Sequence, residues 1–154
     1  MYTPRLSVYH ANAKATGSAI HFSIQKATAV EDGRLIVCMA NQQTTGSEKV
    51  FPKFDWGKSV TVKLTPTEIA EIIEVLQGDK ESIQDGKGII YNTGANRVTL
   101  TFTHIPSAHA HGYGLELHVK GEIYKITFNS AESVAIEYAL KYALGIVAFG
   151  NVAA

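Results

Sequence analysis

Polar and apolar residues alternate with a period of two along most of the chain. In PRLSVYH, Leu6 and Val8 alternate with Arg5, Ser7 and Tyr9, and in SAIHFSIQK, Ile20, Phe22 and Ile24 alternate with His21, Ser23 and Gln25. GRLIVCMA sets Leu35, Val37 and Met39 on one side and Ile36 and Cys38 on the other, and KSVTVKL does the same with Val60, Val62 and Leu64 against Ser59, Thr61 and Lys63. The pattern returns in NRVTLTFTH, GLELHVK and EIYKITF, with GIIYN as a shorter candidate. Such alternation predicts strands with one buried face. Gly17-Ser18, Glu31-Asp32-Gly33 and the polar run NQQTTGSE supply turns between the first four.

Two helices interrupt the alternation. Thr65 can cap, Pro66 suits a first helical position and Glu68 completes a capping box. Ile69, Ile72, Ile73 and Leu76 then share a face, Glu68, Glu71 and Glu74 lie away from it as a solvated row, and Gly78 ends the helix. Asn129 with Glu132 makes a second box, from which a helix should run over Ser130 to Phe149. The order is ββββα–ββββα, without a residue-level repeat. It predicts one α+β domain over residues 1–154, with two four-stranded antiparallel sheets each followed by a helix. The last helix carries Glu132, Glu137 and Lys141 as its only charges and is apolar nearly all round, so one side should cover a sheet and the other a second sheet or another copy of the chain.

Composition narrows the class. Hydrophobic residues make up 45 % and charged residues 18 % of 154, as in ordinary globular proteins. The net charge is zero, which speaks against simple phosphate neutralisation. Yet residues 1–64 hold eight basic and four acidic side chains, a net +4, and the rest hold six and ten, a net −4. That asymmetry is either a polarised surface or scatter along the chain. The single cysteine, Cys38, excludes an internal disulfide framework and reads as a small buried hydrophobe. The start MYTPRLSVYH has no apolar signal core, and no 18-residue apolar stretch occurs, so a soluble cytoplasmic protein with no membrane contact is expected, of bacterial or viral rather than plant-organelle origin.

Catalytic equipment is sparse. There is no GxGxxG, P-loop, GxSxG or HExxH, and no cofactor is expected. His104, His109 and His111 cluster in HIPSAHAHGYG, either as a metal-binding loop or, without a cysteine or carboxylate at a recognised spacing, as a polar hairpin loop. What remains is the polar side of the strands. Lysine, arginine and hydroxyl side chains can contact phosphates and sugars, and aromatic rings can stack on unpaired bases. The same residues could equally do no more than solvate outer strand faces.

FDWGKSVTVKLTPTE, residues 54–68, carries a resemblance. Phe54, Asp55, Trp56 and Lys58, a strand, then Leu64, Thr65 and Glu68 resemble the Whirly family of single-stranded DNA-binding proteins, related in fold to the positive cofactor four group. AKATGSAIHFSI is similar to that family's Lys-Gly-Lys-Ala-Ala-Leu segment through Lys14, Ala19 and Ile20, but Thr16 or Gly17 stands where the second lysine should. GYGLELHV and the closing LGIVAFG also fit the layout. The resemblance implies sheets packed crosswise and a turn pinned by Asp55 and Trp56. It also implies a homo-oligomer, dimer or tetramer, formed through the C-terminal helix, and non-catalytic binding of single-stranded DNA, and of RNA as a further partner, with little sequence preference. The expected phosphate contacts are Lys14, Lys26, Lys58, Lys63, Arg97 and Lys120. The expected stacking residues are Tyr9, His21, Trp56 and Tyr113, with Trp56 alternatively a core residue. The alternative function is an oligomeric structural or interaction module that binds no nucleic acid.

Overall fold

The computed structural model describes residues 4–106 and 111–150. Among these the strands are β1 (Arg5–His10), β2 (Ser18–Gln25), β3 (Arg34–Thr44), β4 (Lys53–Phe54), β5 (Val60–Leu64), β6 (Ile89–Thr93), β7 (Asn96–Pro106), β8 (His111–Val119) and β9 (Glu122–Phe128). Helix α1 (Pro66–Leu76) follows β5, and helix α2 (Ser130–Phe149) follows β9. Two antiparallel sheets result, each followed by a helix, as the alternation predicts.

The first sheet is ordered β1-β2-β3, and its fourth position is shared. β5 pairs with Leu35–Met39 of β3, while β4 pairs with its far end at Gln42 and Thr44. A 3-10 turn over Trp56–Lys58 separates β4 from β5. Strand β3 therefore runs through Asn41–Thr44, where the polar sequence predicts a turn. Gln42 is buried there and its side chain takes up backbone groups, so a polar residue serves the strand as well as an apolar one would. The second sheet is a plain meander, β6-β7-β8-β9.

The inner faces of both sheets and the two helices form one core. Ile20, Val37 and Val62 from the first sheet meet Leu100, Leu117 and Ile126 from the second, with Ile69, Ile72 and Ile73 of α1 and Ile136, Leu140 and Val147 of α2. Each such side chain contributes about 1.5–3 kcal/mol by leaving water. The seam between sheets is also polar. Ser18 Oγ donates to the Lys125 carbonyl, and the Tyr124 hydroxyl donates to the Lys58 carbonyl at 3.0 Å.

Both capping boxes form. Glu68 N donates to Thr65 Oγ1 and Thr65 N to Glu68 Oε1; Glu132 N donates to Asn129 Oδ1 and Asn129 N to Glu132 Oε1. The second carboxylate oxygen of Glu132 lies 2.7 Å from His10 Nε2, which ties the end of β1 to the start of α2. The glutamate row of α1 is half-buried rather than simply solvated: Glu71 accepts from Gln84 at 2.7 Å and Glu74 pairs with Lys80 at 3.4 Å. Burial, and after it the neighbouring carboxylates of Glu68 and Glu71, push the Tyr91 phenol well above its ordinary pKa.

Helix α2 packs on both sheets and on α1 through Ser133, Ile136, Leu140, Ala143 and Val147. Its opposite side leaves Val134, Tyr138, Tyr142 and Phe149 exposed at intervals of four, four and seven residues, one continuous stripe.

Candidate nucleic-acid interface

The outer face of the first sheet is set by the pleat. Leu6, Val8, Ile20, Phe22, Val37 and Val62 point inward, so their neighbours in sequence point out. The register places these outward residues in rows. One row across the sheet is Arg5, Ser23, Ile36 and Lys63; the next is Ser7, His21, Cys38 and Thr61. None of β1–β5 contains an aspartate or glutamate. The four acids of residues 1–64, Glu31, Asp32, Glu48 and Asp55, all lie between strands. The charge asymmetry along the chain is thus spatial: the sequence's first half is the first sheet, and that sheet's strands are free of negative side chains. Cys38 is a correction to the sequence reading, since it sits half-buried on this outer face rather than in the core.

Aromatic rings gather at one end of this face. Tyr9 is half exposed, with its hydroxyl 3.0 Å from His21 Nε2 and its ring edge-on to the imidazole at 5.7 Å. The His21 ring stacks on Trp56, centroids 4.0 Å apart and planes 22° from parallel. Phe54 lies 5.7 Å from Tyr9 on the other side. Trp56 therefore stands outside the core, which resolves the two sequence readings of it in favour of the surface cluster. Burial, and secondarily the positive charge of Arg5, lower the His21 pKa to about 4. At neutral pH its ring is uncharged, suited to stacking and not to holding phosphate.

The turn that presents Trp56 is tied on three sides. Asp55 N donates to the Asn41 carbonyl at 2.9 Å, Lys58 N donates to the Asp55 carbonyl at 3.1 Å, and Tyr124 reaches the Lys58 carbonyl from the second sheet. Lys58 itself is exposed on the turn.

Lys14 projects from the β1–β2 loop, which is fastened by Gln42. Gln42 Oε1 accepts from Asn12 N and Gly17 N, and Gln42 Nε2 donates to the carbonyls of Asn12 and Thr44. Gly17 is obligatory, because a Cβ there would stand 1.9 Å from the His10 carbonyl oxygen. Ala15, next to Lys14, is held at φ +56°, a left-handed conformation that costs an alanine about 1–2 kcal/mol.

The remaining predicted residues do not all join this surface. Lys63 lies in the row beside the cluster. Lys26 follows β2 and borders a cleft of about 560 Å³ between that sheet and α2. Arg97 and Lys120 sit at the same end of the second sheet, flanking the paired Val98 and Val119. Tyr113 faces the interior: its ring stacks on Phe102 at 5.6 Å and its hydroxyl donates to the Leu76 carbonyl, so it offers no face to a base. Sequence reasoning left Phe54, Gln42 and Arg5 out of the site. Arg5 was legible as a polar strand position, whereas the roles of Phe54 and Gln42 depend on a register that no local pattern states.

His104 Nδ1 lies 3.5 Å from Glu81 and its ring tilts against Tyr113. His109 and the side chain of His111 lie outside the described residues. Among the described residues no group of three or more His, Cys, Asp or Glu side chains could hold a metal, and no helix is long and apolar enough to cross a membrane.

No family model matches the sequence, and no curated protein matches it. Solved structures do. WHY1 from Arabidopsis thaliana superposes with a TM-score of 0.70 at 20 % identity, covering 96 % of this chain and 86 % of that one. This chain has the Whirly fold. The plant transcriptional regulator PBF-2 gives 0.68 at 17 % identity, covering 96 % and 84 %, and WHY3 from Arabidopsis thaliana gives 0.65 at 19 %, covering 96 % and 92 %. At such identities a Whirly backbone is shared and side chains are largely replaced, so the chemistry of the outer face is this chain's own.

Proposed function

We propose that this protein binds single-stranded DNA, without catalysis and with little sequence preference, along the outer face of its first sheet. The observation that carries the reading is the Tyr9, His21, Trp56 and Phe54 cluster beside Arg5 and Lys63 on strands that hold no acid. Rings stack on any base, since every base has a π-face, and the cations meet the backbone. A sheet presents such groups in rows about 4.8 Å apart and suits a splayed strand better than a duplex groove, which takes a helix or narrow ribbon. The likeness to a plant transcriptional regulator fits work on DNA, in transcription or in replication, recombination and repair. RNA is a second substrate, because nothing in a stacking face selects against the 2′-hydroxyl.

Assembly of copies through the open stripe of α2 is part of the same reading. Two tyrosines, a valine and a phenylalanine lie in one exposed line, and contiguous apolar surface of this kind marks interaction sites. The rival is an oligomeric scaffold that ignores nucleic acid, which zero net charge favours. Fluorescence anisotropy with labelled oligo-dT and with a duplex of equal length separates them. Binding of the single strand that weakens as salt rises, with weaker binding of the duplex, supports the proposal; no single-strand binding at low salt leaves the scaffold.

A further inference from the structure

Among the described residues the most exposed aromatic ring lies on neither sheet. Between β3 and β4 the chain makes a tight turn at Glu48 and Lys49, bridged by Ser47 and Val50, and Phe51 directly after it is 91 % exposed, with Val50 beside it 51 % exposed. The turn is firmly built. Ser47 N donates to the Val50 carbonyl at 2.7 Å, Val50 N donates to the Ser47 carbonyl at 3.2 Å, and Lys53 N donates to Thr44 Oγ1 at 3.1 Å. Gly46, at φ +76°, lets the arms close, since a Cβ there would stand 2.5 Å from the Val50 carbonyl oxygen. Pro52 fixes φ directly after Phe51. The fold thus holds an apolar ring in water on a braced support, and none of the core or of the interstrand packing uses it.

Two features say what covers it. Lys49 and Lys53 stand two residues either side of Phe51, both exposed and neither in an ion pair among the described residues, with Glu48 and Asp55 the acids nearest in sequence. The segment also continues the aromatic cluster: Phe51 is three residues before Phe54, so at most about 11 Å of chain separates them, and Phe54 contacts Tyr9. From this geometry we infer that Phe51 stacks on a base of the same single strand that crosses the first sheet, with Lys49 and Lys53 on the adjoining phosphates. The hairpin then extends the binding track beyond the sheet by one nucleotide position. This inference rests on the proposed function and adds a contact that neither the sheet nor the fold likeness supplies.

The test pairs Phe51→Ala with oligo-dT strands carrying one abasic position, walked along the strand, and reads affinity by anisotropy. A stacked base contributes roughly a 5- to 150-fold change. The expected result is a loss in that range for Phe51→Ala, rescue by Phe51→Tyr, and one abasic position whose penalty disappears in the alanine variant. Because the ring touches no core residue, circular dichroism and thermal unfolding of Phe51→Ala should match the parent. If the parent protein binds and Phe51→Ala binds equally well, the inference is overturned and the sheet-face reading stands. If Phe51→Ala changes the oligomer size by gel filtration but not the affinity, the ring serves a second copy of the chain and the inference is again overturned. If the parent protein binds no single strand, both fall.

Discussion

Arg5 and Lys63 occupy opposite edges of one row across the first sheet, separated by Ser23 and Ile36. Three strand intervals of about 4.8 Å put their backbones about 14 Å apart. The screening length at physiological ionic strength is about 8 Å, so the two cations act on different phosphates and nearly independently. For single strands the slope of log affinity against log salt is about −0.7 per neutralised phosphate. Arg5→Ala and Lys63→Ala should therefore each make the slope shallower by about 0.7, and the double variant by about 1.4. Between about 50 and about 200 mM salt, each contact accounts for about a 2.6-fold loss of affinity in the parent, and the double variant should lose that dependence for both. Anisotropy titrations of labelled oligo-dT at four or five salt concentrations measure the slopes. A double variant with the parent's slope would refute the placement of phosphate on this row. A double effect far from the sum would refute the independence deduced from the spacing.

Three further outcomes follow from particular residues. The fold favours neutral His21, with a pKa of about 4 against 6.5 for the free side chain, so its stability contribution is present above about pH 6.5 and is lost as pH falls toward 4; the imidazole should titrate near 4 by NMR, and His21→Asn should flatten that part of the stability–pH curve. Gln42→Leu strips partners from the backbone of Asn12, Gly17 and Thr44 at once and should cost about 3 kcal/mol by urea unfolding, with a loss below about 1 kcal/mol contradicting the hub role. Tyr138→Asp combined with Tyr142→Asp places charge in the open stripe of α2 and should reduce the assembled species to monomer by light scattering while leaving the folded monomer intact, since both rings are about two-thirds exposed.

Much of the architecture was legible because it depends on short periods. Alternation in β2 and β7 and the two capping boxes are local patterns, each visible within a few residues. The split fourth position of the first sheet was not, because β4 is two residues long and is held by pairing with a distant part of β3. The same reason hid the buried Gln42: its value lies in four backbone partners, three of them in the β1–β2 loop, 25 to 30 residues away in sequence. For the site, single residue types were readable and their grouping was not. Tyr9, His21 and Trp56 meet through strand register and a 3-10 turn, whereas Tyr113 follows the same alternation and is turned inward by it.

Trp56 is the protein's single tryptophan and stacks on His21 at one end of the aromatic cluster, so its emission reports on the proposed surface. Titrating oligo-dT into the protein at low salt and following that emission tests the central claim directly. Saturable quenching or shift of Trp56 fluorescence, reversed by added salt, is the predicted result. Tight binding seen by anisotropy with no change in Trp56 emission would place the strand elsewhere and contradict the account.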